Sequence, residues 1–402
     1  MNYSKEEIMQ YIREEDVKFI RLAFCDLFGR QRNVSVMPEE MERVFNCGVA
    51  IDASAIEGFG CEVHSDLFLH PDTSTISVLP WRPEHGRVVR MFCDIAYPDG
   101  RPFEGDARVM LKNAVEYAKK RGYEFYFGSE IEFYLFKTDE NGNPTGQPYD
   151  YAGYMDIAPE DKGENVRREI CLTLERMGIR PESSHHEEGP GQNEITFKYS
   201  EPLTAADNAI TFGMVVRTVA ARNGLYADFS AKPISDKPGN GFHINISVSH
   251  GKDKDLLPYV IGGIAKNVSA MTAFLNPSEN SYRRFGKFKA PKYVSWSSEN
   301  RSQLIRIPAT NDGIKRVELR SPDPSTNPYL SYALLIYAAI EGMEEKIMPP
   351  GAADINLYDA PESVTKNYEK LPESREEAVQ TAKNSEFIEN HIPSLVMNAY
   401  LN

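Results

Sequence analysis

EFYFGSEIEFYLF, residues 124–136, shows the clearest alternation of apolar and acidic residues in this chain of 402 residues. Successive side chains of a β-strand point to opposite faces of the sheet. The aromatic and aliphatic residues therefore face a core, whereas Glu124, Glu130 and Glu132 face the other way. Two carboxylates on one face without a nearby cation are costly, and a divalent metal ion is the usual neutraliser. The stretch predicts a strand between a core and a metal site.

Acidic and imidazole side chains recur in three other local patterns, with Glu187 and Glu194 in HHEEGPGQNEI, His243 in GNGFHINIS and Glu318 in KRVELRSPD. Each alone has a plain alternative: a solvated acidic loop, a hydrogen-bonded core histidine, or a salt-bridged strand worth ~0–1 kcal/mol if exposed. Together with Glu130 and Glu132 they suit two hard divalent ions, Mg²⁺ or Mn²⁺, better than zinc, since no thiolate takes part. The joint pattern predicts a metal-dependent enzyme.

Arginine is concentrated near these motifs, although the net charge is −14. The cluster comprises Arg283, Arg284, Arg301, Arg306, Arg316 and Arg320. Planar guanidinium groups bind phosphate and carboxylate oxygens bidentately, and two metals with arginines are the equipment for phosphoryl transfer. The sequence has no GxxxxGK[ST] loop, so a nucleotide would be bound by a different structural motif. The alternative is that these arginines only offset an acidic surface.

The bulk properties restrict the class of protein. The length favours two domains, and the acidic balance disfavours nucleic acid or an anionic membrane as a partner. The cysteines are dispersed without a CxxC pair, as expected for reduced thiols; they are Cys25, Cys47, Cys61, Cys93 and Cys171. The N-terminus lacks an apolar stretch, and no run approaches the ~20 apolar residues of a membrane span. We expect a soluble, cytoplasmic protein.

The order of elements predicts an α+β architecture with a boundary near residue 101. Residues 17–100 have the pattern of short strands and turns. Asp106 is a candidate N-cap for a helix through Lys120, and Asn327-Pro328 begins a long helix through about residue 346. Other predicted helices cover about 165–177 and 205–222, and the tail from Tyr358 is helical and charged. Further strands are predicted at about 242–248, 292–296, 302–307 and 316–320.

The motifs, in their order and spacing, resemble those of glutamine synthetase of the bacterial type I family over nearly the whole chain. They include FIRLAFCDLFG, IDASAIEGFG, GSEIEF, HHEEGPGQNEI, NSYRR, NRSQLIRIP and RVELRSPDPSTNPYL. The resemblance implies a β-grasp domain at 1–101 and a catalytic domain at 102–402, with an antiparallel curved sheet flanked by helices. It implies ligation of ammonia to L-glutamate with ATP through γ-glutamyl phosphate, in a dodecamer of two hexameric rings with shared active sites.

The resemblance also implies roles for individual residues. One metal ion would be held by Glu132, Glu187 and Glu194, and the second by Glu130, His243 and Glu318. ATP would contact Asn245, Ser247, Arg301, Arg306 and Arg316. Glutamate would be bound by Gly239, Arg284 and Arg320, and the ammonium pocket would contain Tyr154 and the Asp52 of an adjacent subunit. The catalytic residues would be Asp52, Arg301 and Arg320.

The acceptor end departs from the family pattern. The flap, which in the family usually reads NSYKRLVPGYEAP, is NSYRRFGKFKAP here, with Lys289 at the position of a glutamate that helps deprotonate ammonium. Ala55 and Asn245 replace a family serine and histidine. A charged lysine cannot accept a proton and repels a nearby cation. Three functions stay open: a glutamine synthetase, a γ-glutamyl-amine ligase that accepts an organic amine, and a catalytically reduced nucleotide or glutamate sensor.

One tyrosine has two interpretations. Tyr358 in the segment NLYD resembles a tyrosine that some type I family members carry adenylylated. A one-residue acceptor motif carries little information, so the favoured interpretation is a solvent-facing tyrosine at the start of a helix.

Overall fold

A computed structural model describes residues 3–60, 65–251, 255–310 and 315–402, so Cys61 lies outside the described residues. Cys25, Cys47, Cys93 and Cys171 are free thiols. Within the described ranges, no helix is both long enough and apolar enough to cross a membrane.

The N-terminal part forms a mixed sheet. Its strands are β1 (Val17–Cys25), β2 (Gln31–Val36), β3 (Val49–Asp52), β4 (Asp66–Pro71), β5 (Ser77–Val78) and β6 (Arg87–Ala96). The strand order is β2-β1-β6-β4-β3, with β5 paired to β6. β1 and β6 run parallel, whereas the β1–β2 hairpin is antiparallel. The helices α1 (Lys5–Glu14) and α2 (Met41–Cys47) accompany the sheet, and the sequence patterns did not predict them.

The second sheet is centred on the segment of clearest alternation. Its strands are β7 (Tyr123–Thr138), β8 (Pro144–Pro148), β9 (Pro181–His186), β10 (Gln192–Ser200), β11 (Leu225–Asp228), β12 (Phe242–His250), β13 (Trp296–Ser298), β14 (Ile305–Ile307) and β15 (Val317–Leu319). The order is β13-β14-β15-β12-β7-β10-β9, with β8 and β11 also paired to β7. Its pairs are antiparallel except β13 with β14. The α+β prediction is confirmed.

Helices pack around this sheet and against one another. They are α3 (Ala107–Lys120), α4 (Glu164–Arg176), α5 (Pro202–Arg222), α6 (Leu257–Leu275), α7 (Glu279–Tyr282), α8 (Pro328–Glu344), α9 (Glu362–Thr365), α10 (Arg375–Lys383), α11 (Glu386–His391) and α12 (Ser394–Leu401). The predicted caps are present: Asp106 accepts from the first-turn amides of α3, and Asn327 accepts from Tyr329 N. α3 and α5 pack on β7, where Phe127 and Phe133 are fully buried.

Two predicted strands differ from the structure. The strand expected at 292–296 is wrong, because that backbone pairs instead with a distant segment: Val294 N donates to Glu369 O and Leu371 N donates to Lys292 O. The regular strand β13 begins only at Trp296. The strand expected at 302–307 is shortened to β14, because the Asn300 side chain accepts from Ser302 N and holds a turn there.

A buried arginine joins the two parts of the molecule. Arg108 of α3 contacts Asp72 (2.9 Å) and Asp94 (2.8 Å) of the N-terminal part, and Asp207 of α5 (2.9 Å). The Tyr329 hydroxyl of α8 donates to Asp207 at 2.6 Å. Burial alone would lower the pKa of Arg108, but the charge of Asp207 and its neighbours raises that pKa well above its ordinary value. The guanidinium is therefore a charged brace between the domains.

Candidate active site

The register of the second sheet brings the predicted acidic residues onto one face. Glu194 of β10 lies opposite Glu132 of β7, and His243 of β12 lies opposite Glu130. On the far side of β12, Asn245 lies opposite Glu318 of β15. Because directly opposed residues share a face, one strip of polar side chains crosses four neighbouring strands. The alternation that defines β7 thus sets the geometry of the whole site.

Two groups of candidate metal ligands lie in this strip. Glu130, Glu194 and His243 each offer an atom within 4.8 Å of the others, and so do His185, Glu187 and Glu194. Glu194 belongs to both groups and stands between them. His185 was not predicted, although HHEE places it two residues before Glu187 on an extended segment, which is a signal for one face.

The electrostatics of the strip favour a bound cation. Burial, followed by the charge of Glu187, raises the pKa of Glu132 to about 8. Burial and the charges of Glu130 and Glu132 raise the pKa of Glu194 well above its ordinary value. Carboxyl groups that resist ionisation because they crowd one another are stabilised as ligands once a divalent ion neutralises them.

Neighbouring groups shift the pKa of two candidate ligands, Glu187 and His243. Burial raises the pKa of Glu187, but the hydrogen bond from His185 at 2.9 Å and its charge outweigh burial and leave that pKa below its ordinary value. Burial and the charge of Arg320 hold the pKa of His243 well below its usual range. The imidazole of His243 is therefore neutral near pH 7 and has a nitrogen lone pair to offer a metal.

Hydrogen bonds and ion pairs connect Asn245 and Glu318 of the strip to neighbouring groups. The Asn245 amide donates to Glu130 Oε1 at 2.9 Å. Glu318 is almost fully buried, accepts a hydrogen bond from Arg320 and pairs with Arg306 at 2.7 Å. Asn245 and Arg306 therefore support Glu130 and Glu318 in this structure, and their contact with ATP stays a prediction.

The predicted glutamate-binding residues form a tight cluster. The buried guanidinium of Arg284 donates to the carbonyl oxygens of Ser321 (2.7 Å) and Arg320 (3.2 Å). A Cβ on Gly239 would lie 2.4 Å from Ala231 O and 2.9 Å from Arg284 Cδ, so only glycine fits. Burial lowers the pKa of Arg284.

These residues surround one cavity of about 740 Å³. The predicted site residues that line it are Glu130, Glu132, Tyr154, Glu187, Glu194, Gly239, His243, Ser247, Arg284, Arg301, Arg316 and Arg320. Of the other predicted residues, Asp52 ends β3 in the N-terminal sheet, where its side chain accepts hydrogen bonds from Ser54. In the part of the chain that the structure describes, Asp52 is not in the lining.

The cavity also contains a pair that the sequence patterns did not predict. Lys289 forms an ion pair with Glu188, and its ammonium group lies 5.3 Å from the centre of the Tyr154 ring. The Tyr154 ring meets His185 edge-on at 5.3 Å. The lysine at the flap position therefore points into the cavity, and a carboxylate neutralises it there.

Tyr358 is placed differently from the favoured interpretation. It lies in a turn rather than at the start of a helix and is half-buried, and its hydroxyl donates to Arg301 O at 2.9 Å. Burial raises the pKa of Tyr358 to about 12. The expectation of a solvent-facing side chain is wrong, because the tyrosine packs against the segment that carries Arg301.

The donor set fits hard divalent ions. It is rich in carboxylate oxygens, includes the imidazoles of His185 and His243, and contains no thiolate within the described residues. Burial first, and then neighbouring carboxylates, raise the pKa of Glu132 and Glu194, and a divalent ion would offset both effects. Mg²⁺ and Mn²⁺ match such ligands.

Comparisons with known proteins agree with this geometry. The glutamine synthetase catalytic-domain family matches residues 104–402, and the glutamine synthetase β-grasp-domain family matches residues 16–98. Glutamine synthetase from Clostridium saccharobutylicum is 43% identical over 99% of this chain and 94% of its own length. Glutamine synthetase from Methanosarcina mazei is 42% identical over 99% of this chain and 92% of its own length.

Two solved structures share this fold over nearly their whole length. The structure "GmaS/ADP complex-Conformation 1" has a TM-score of 0.90 and 27% identity, covering 100% of this chain and 94% of its own. "Apo GmaS without ligand" has a TM-score of 0.87, covering 98% of this chain and 93% of its own. From the strip of carboxylates, the arginines around it and these matches, we conclude that the chain is an ATP-dependent ligase and belongs to the glutamine synthetase family.

Proposed function

We propose that this chain joins ammonia to the γ-carboxylate of L-glutamate, with ATP, through γ-glutamyl phosphate. The observation that carries the proposal is the convergence of buried carboxylates, a neutral histidine and arginines on one cavity. The curated relatives at 38–43% identity that carry the name glutamine synthetase support the choice of ammonia.

The proposed role of each residue follows from its position in the cavity. Glu130, Glu132, Glu187, Glu194 and His243 would hold the divalent ions. Bound there, the ions would neutralise phosphate oxygens and the developing charge of phosphoryl transfer.

The arginines would act on the two anionic substrates. Arg301 and Arg316 line the cavity and would stabilise negative charge on the transferring phosphoryl group. Arg284 and Arg320, which are buried and held by neighbouring groups, would orient the glutamate carboxylate with little loss of side-chain freedom. A γ-carboxylate oxygen then attacks the γ-phosphorus of ATP, ADP leaves, and the amine displaces phosphate from the acyl phosphate.

The acceptor end is compatible with ammonium despite Lys289. Because Glu188 pairs with Lys289, the lysine does not present an uncompensated positive charge to an incoming cation. The pair also keeps a carboxylate at this end of the cavity, from the β9–β10 connection instead of the flap. Glu188, with Asp52 of an adjacent subunit, would take the proton that ammonium must lose before it attacks.

A second candidate is a γ-glutamyl-amine ligase, and one observation favours it. Tyr154 is 46% exposed and Phe288 is 45% exposed at the end of the cavity where Lys289 lies. Two solvent-facing rings would bury the alkyl or aryl part of an organic amine at about 25 cal/mol per Å² of apolar surface.

The deciding experiment measures phosphate release from MgATP and L-glutamate with ammonium or with a panel of amines. The panel contains methylamine, a diamine and aniline, each at matched concentrations of free base. We expect ammonium to give the highest kcat/KM, and Glu188→Gln to reduce kcat/KM for ammonium more than for aniline, whose amine is already neutral. The control is Glu182→Gln, which removes an exposed carboxylate from the rim of the same cavity.

Each result separates the candidates. A preference for an organic amine over ammonium would replace ammonia by that amine class and leave the phosphoryl-transfer assignment in place. Equal losses for ammonium and aniline in Glu188→Gln would remove Glu188 from proton transfer.

A further inference from the structure

A second cavity, of about 1040 Å³, lies between the two domains. Its walls come from the N-terminal sheet on one side and from α5 and β11 on the other. Within the described residues, it shares no lining residue with the active-site cavity. Any ligand of this cavity would therefore be distinct from ATP, glutamate and the acceptor.

Arginine dominates the ionisable groups in its walls. The five are Arg21, Arg30, Arg82, Arg90 and Arg217, against two acids, Glu57 and Asp228. Glu57 is already paired with Arg30 at 3.2 Å, on the exposed rim. Among the residues that the structure describes, no carboxylate lies within ion-pair distance of Arg21, Arg82 or Arg90. In a chain of net charge −14, such a concentration of positive charge is a local feature.

Arg90 is the most constrained of these side chains. It is 5% exposed, stacks on Phe92 at 3.9 Å and donates from Nη1 to Thr211 of α5 at 3.0 Å. Its Nε is buried without an acceptor among the described residues. Burial lowers the pKa of Arg90 to about 10. A buried guanidinium with an unused donor costs free energy that an anion in the cavity would recover.

Arg21 also has a buried hydrogen-bond donor without an acceptor within the described ranges. Its Nε is buried without an acceptor in the described part of the chain, and burial together with the charge of Arg82 lowers its pKa. Two neighbouring guanidinium groups, neither with an ion-pair partner among the described residues, can bind oxygens of phosphate or carboxylate.

We propose that this cavity binds a small, multiply charged anion, a phosphate or a dicarboxylate, through Arg21, Arg82 and Arg90. The anion would bridge the N-terminal sheet and α5, because Arg90 already reaches Thr211 from the opposite domain. The cavity also reaches Ile131 and Phe242, which are the neighbours of the metal-binding Glu130, Glu132 and His243 on the other face of β7 and β12. A bound anion would therefore contact the face of β7 and β12 opposite to the one that carries the candidate metal ligands.

The chain provides its own optical probe. It has two tryptophans, and Trp81 lies in the wall of this cavity. In a Trp296→Phe background, Trp81 fluorescence is followed while inorganic phosphate or succinate is added. Saturating MgADP and glutamate keep the active site occupied, and sodium chloride at matched ionic strength is the reference.

We expect a saturable change with at least one of the two anions and none with chloride. In Arg21→Gln and Arg82→Gln the affinity falls about tenfold, or about 1.4 kcal/mol, for each lost charge-assisted contact. The matched control Arg13→Gln, an exposed arginine of α1, keeps the original affinity. A response to phosphate alone or to succinate alone identifies the source of the anion.

The proposal is overturned by any of three results. They are no saturable change with either anion, the same change with chloride, and an affinity in both variants equal to that of the Arg13→Gln control. Since Arg21 and Arg82 are not fully buried, both variants are expected to fold, and a thermal melt checks this directly.

Discussion

The two ends of the active-site cavity are built in different ways. At the metal end, Glu132 and Glu194 lie on adjacent strands and are 9% and 8% exposed. At the acceptor end, the side chains of Lys289 and Glu188 extend from loops and are 50% and 33% exposed. Backbone hydrogen bonds between β7 and β10 fix Glu132 and Glu194. Solvent screens the charges of Lys289 and Glu188. If the proposed roles hold, the carboxylates for phosphoryl transfer are preorganised, and acceptor choice depends on exposed side chains that a few substitutions can alter.

The largest effect is expected at the metal end. Glu194→Gln removes the carboxylate shared by both candidate metal groups, and kcat should fall on the order of 10³-fold because phosphoryl transfer depends on the metals. Glu182→Gln, at an exposed position of the same cavity, should retain activity. A fall of less than tenfold in Glu194→Gln at saturating Mg²⁺ would contradict the assignment.

A smaller effect is expected at Asn245, which donates a hydrogen bond to the candidate ligand Glu130. Asn245→Ala removes the donor to Glu130 Oε1 and should weaken Mg²⁺ activation by about 10–100-fold, the usual cost of losing a group that orients a ligand. Titrations of activity with Mg²⁺ and with ATP separate two roles. A change in the KM for ATP with unaltered metal dependence would instead place Asn245 on the nucleotide.

The elevated carboxyl pKa values give a pH dependence. A carboxyl group whose pKa is raised in the folded protein holds its proton over a wider range, and a metal ion must displace that proton. With the pKa of Glu132 near 8, apparent Mg²⁺ affinity should increase as pH rises from about 6.5 to 8.5. Calorimetric titration over this range measures the affinity and the protons released. An affinity that does not vary with pH would show that these carboxylates are already ionised.

The smallest effect is expected from the exposed pair at the acceptor end. A double-mutant cycle of Glu188→Gln and Lys289→Met, read as kcat/KM for ammonium, should give a coupling of about 0.2–1 kcal/mol, since solvent screens both groups. A coupling well above that range would mean that the pair is desolvated when the loops close over the substrates.

The difference between residues on regular strands and residues on loops also explains what could be predicted from the sequence. Alternation predicted β7, and the orientation of Glu130 and Glu132 followed from it. Local chemistry also predicted the caps Asp106 and Asn327, because a cap depends on residues within one turn.

Long-range pairing could not be predicted in this way. The backbone at 292–294 has its partners at 369–371, and no local pattern encodes that choice. The contact of Lys289 with Glu188 depends on how two loops meet. In the second cavity, Arg21 and Arg90 are direct partners on β1 and β6, and only the packing of the domains brings Arg217 of α5 to the same cavity.

The brace at Arg108 limits how the enzyme can open. A hinge motion that separated the N-terminal part from the helices would break the ion pairs of buried Arg108 with Asp72 and Asp94 and leave it paired with Asp207 of α5. We therefore expect substrate entry and product release to use the connections at 187–191 and 283–290, which carry the cavity-lining Glu188 and Lys289. The two domains would then keep one relative orientation throughout turnover.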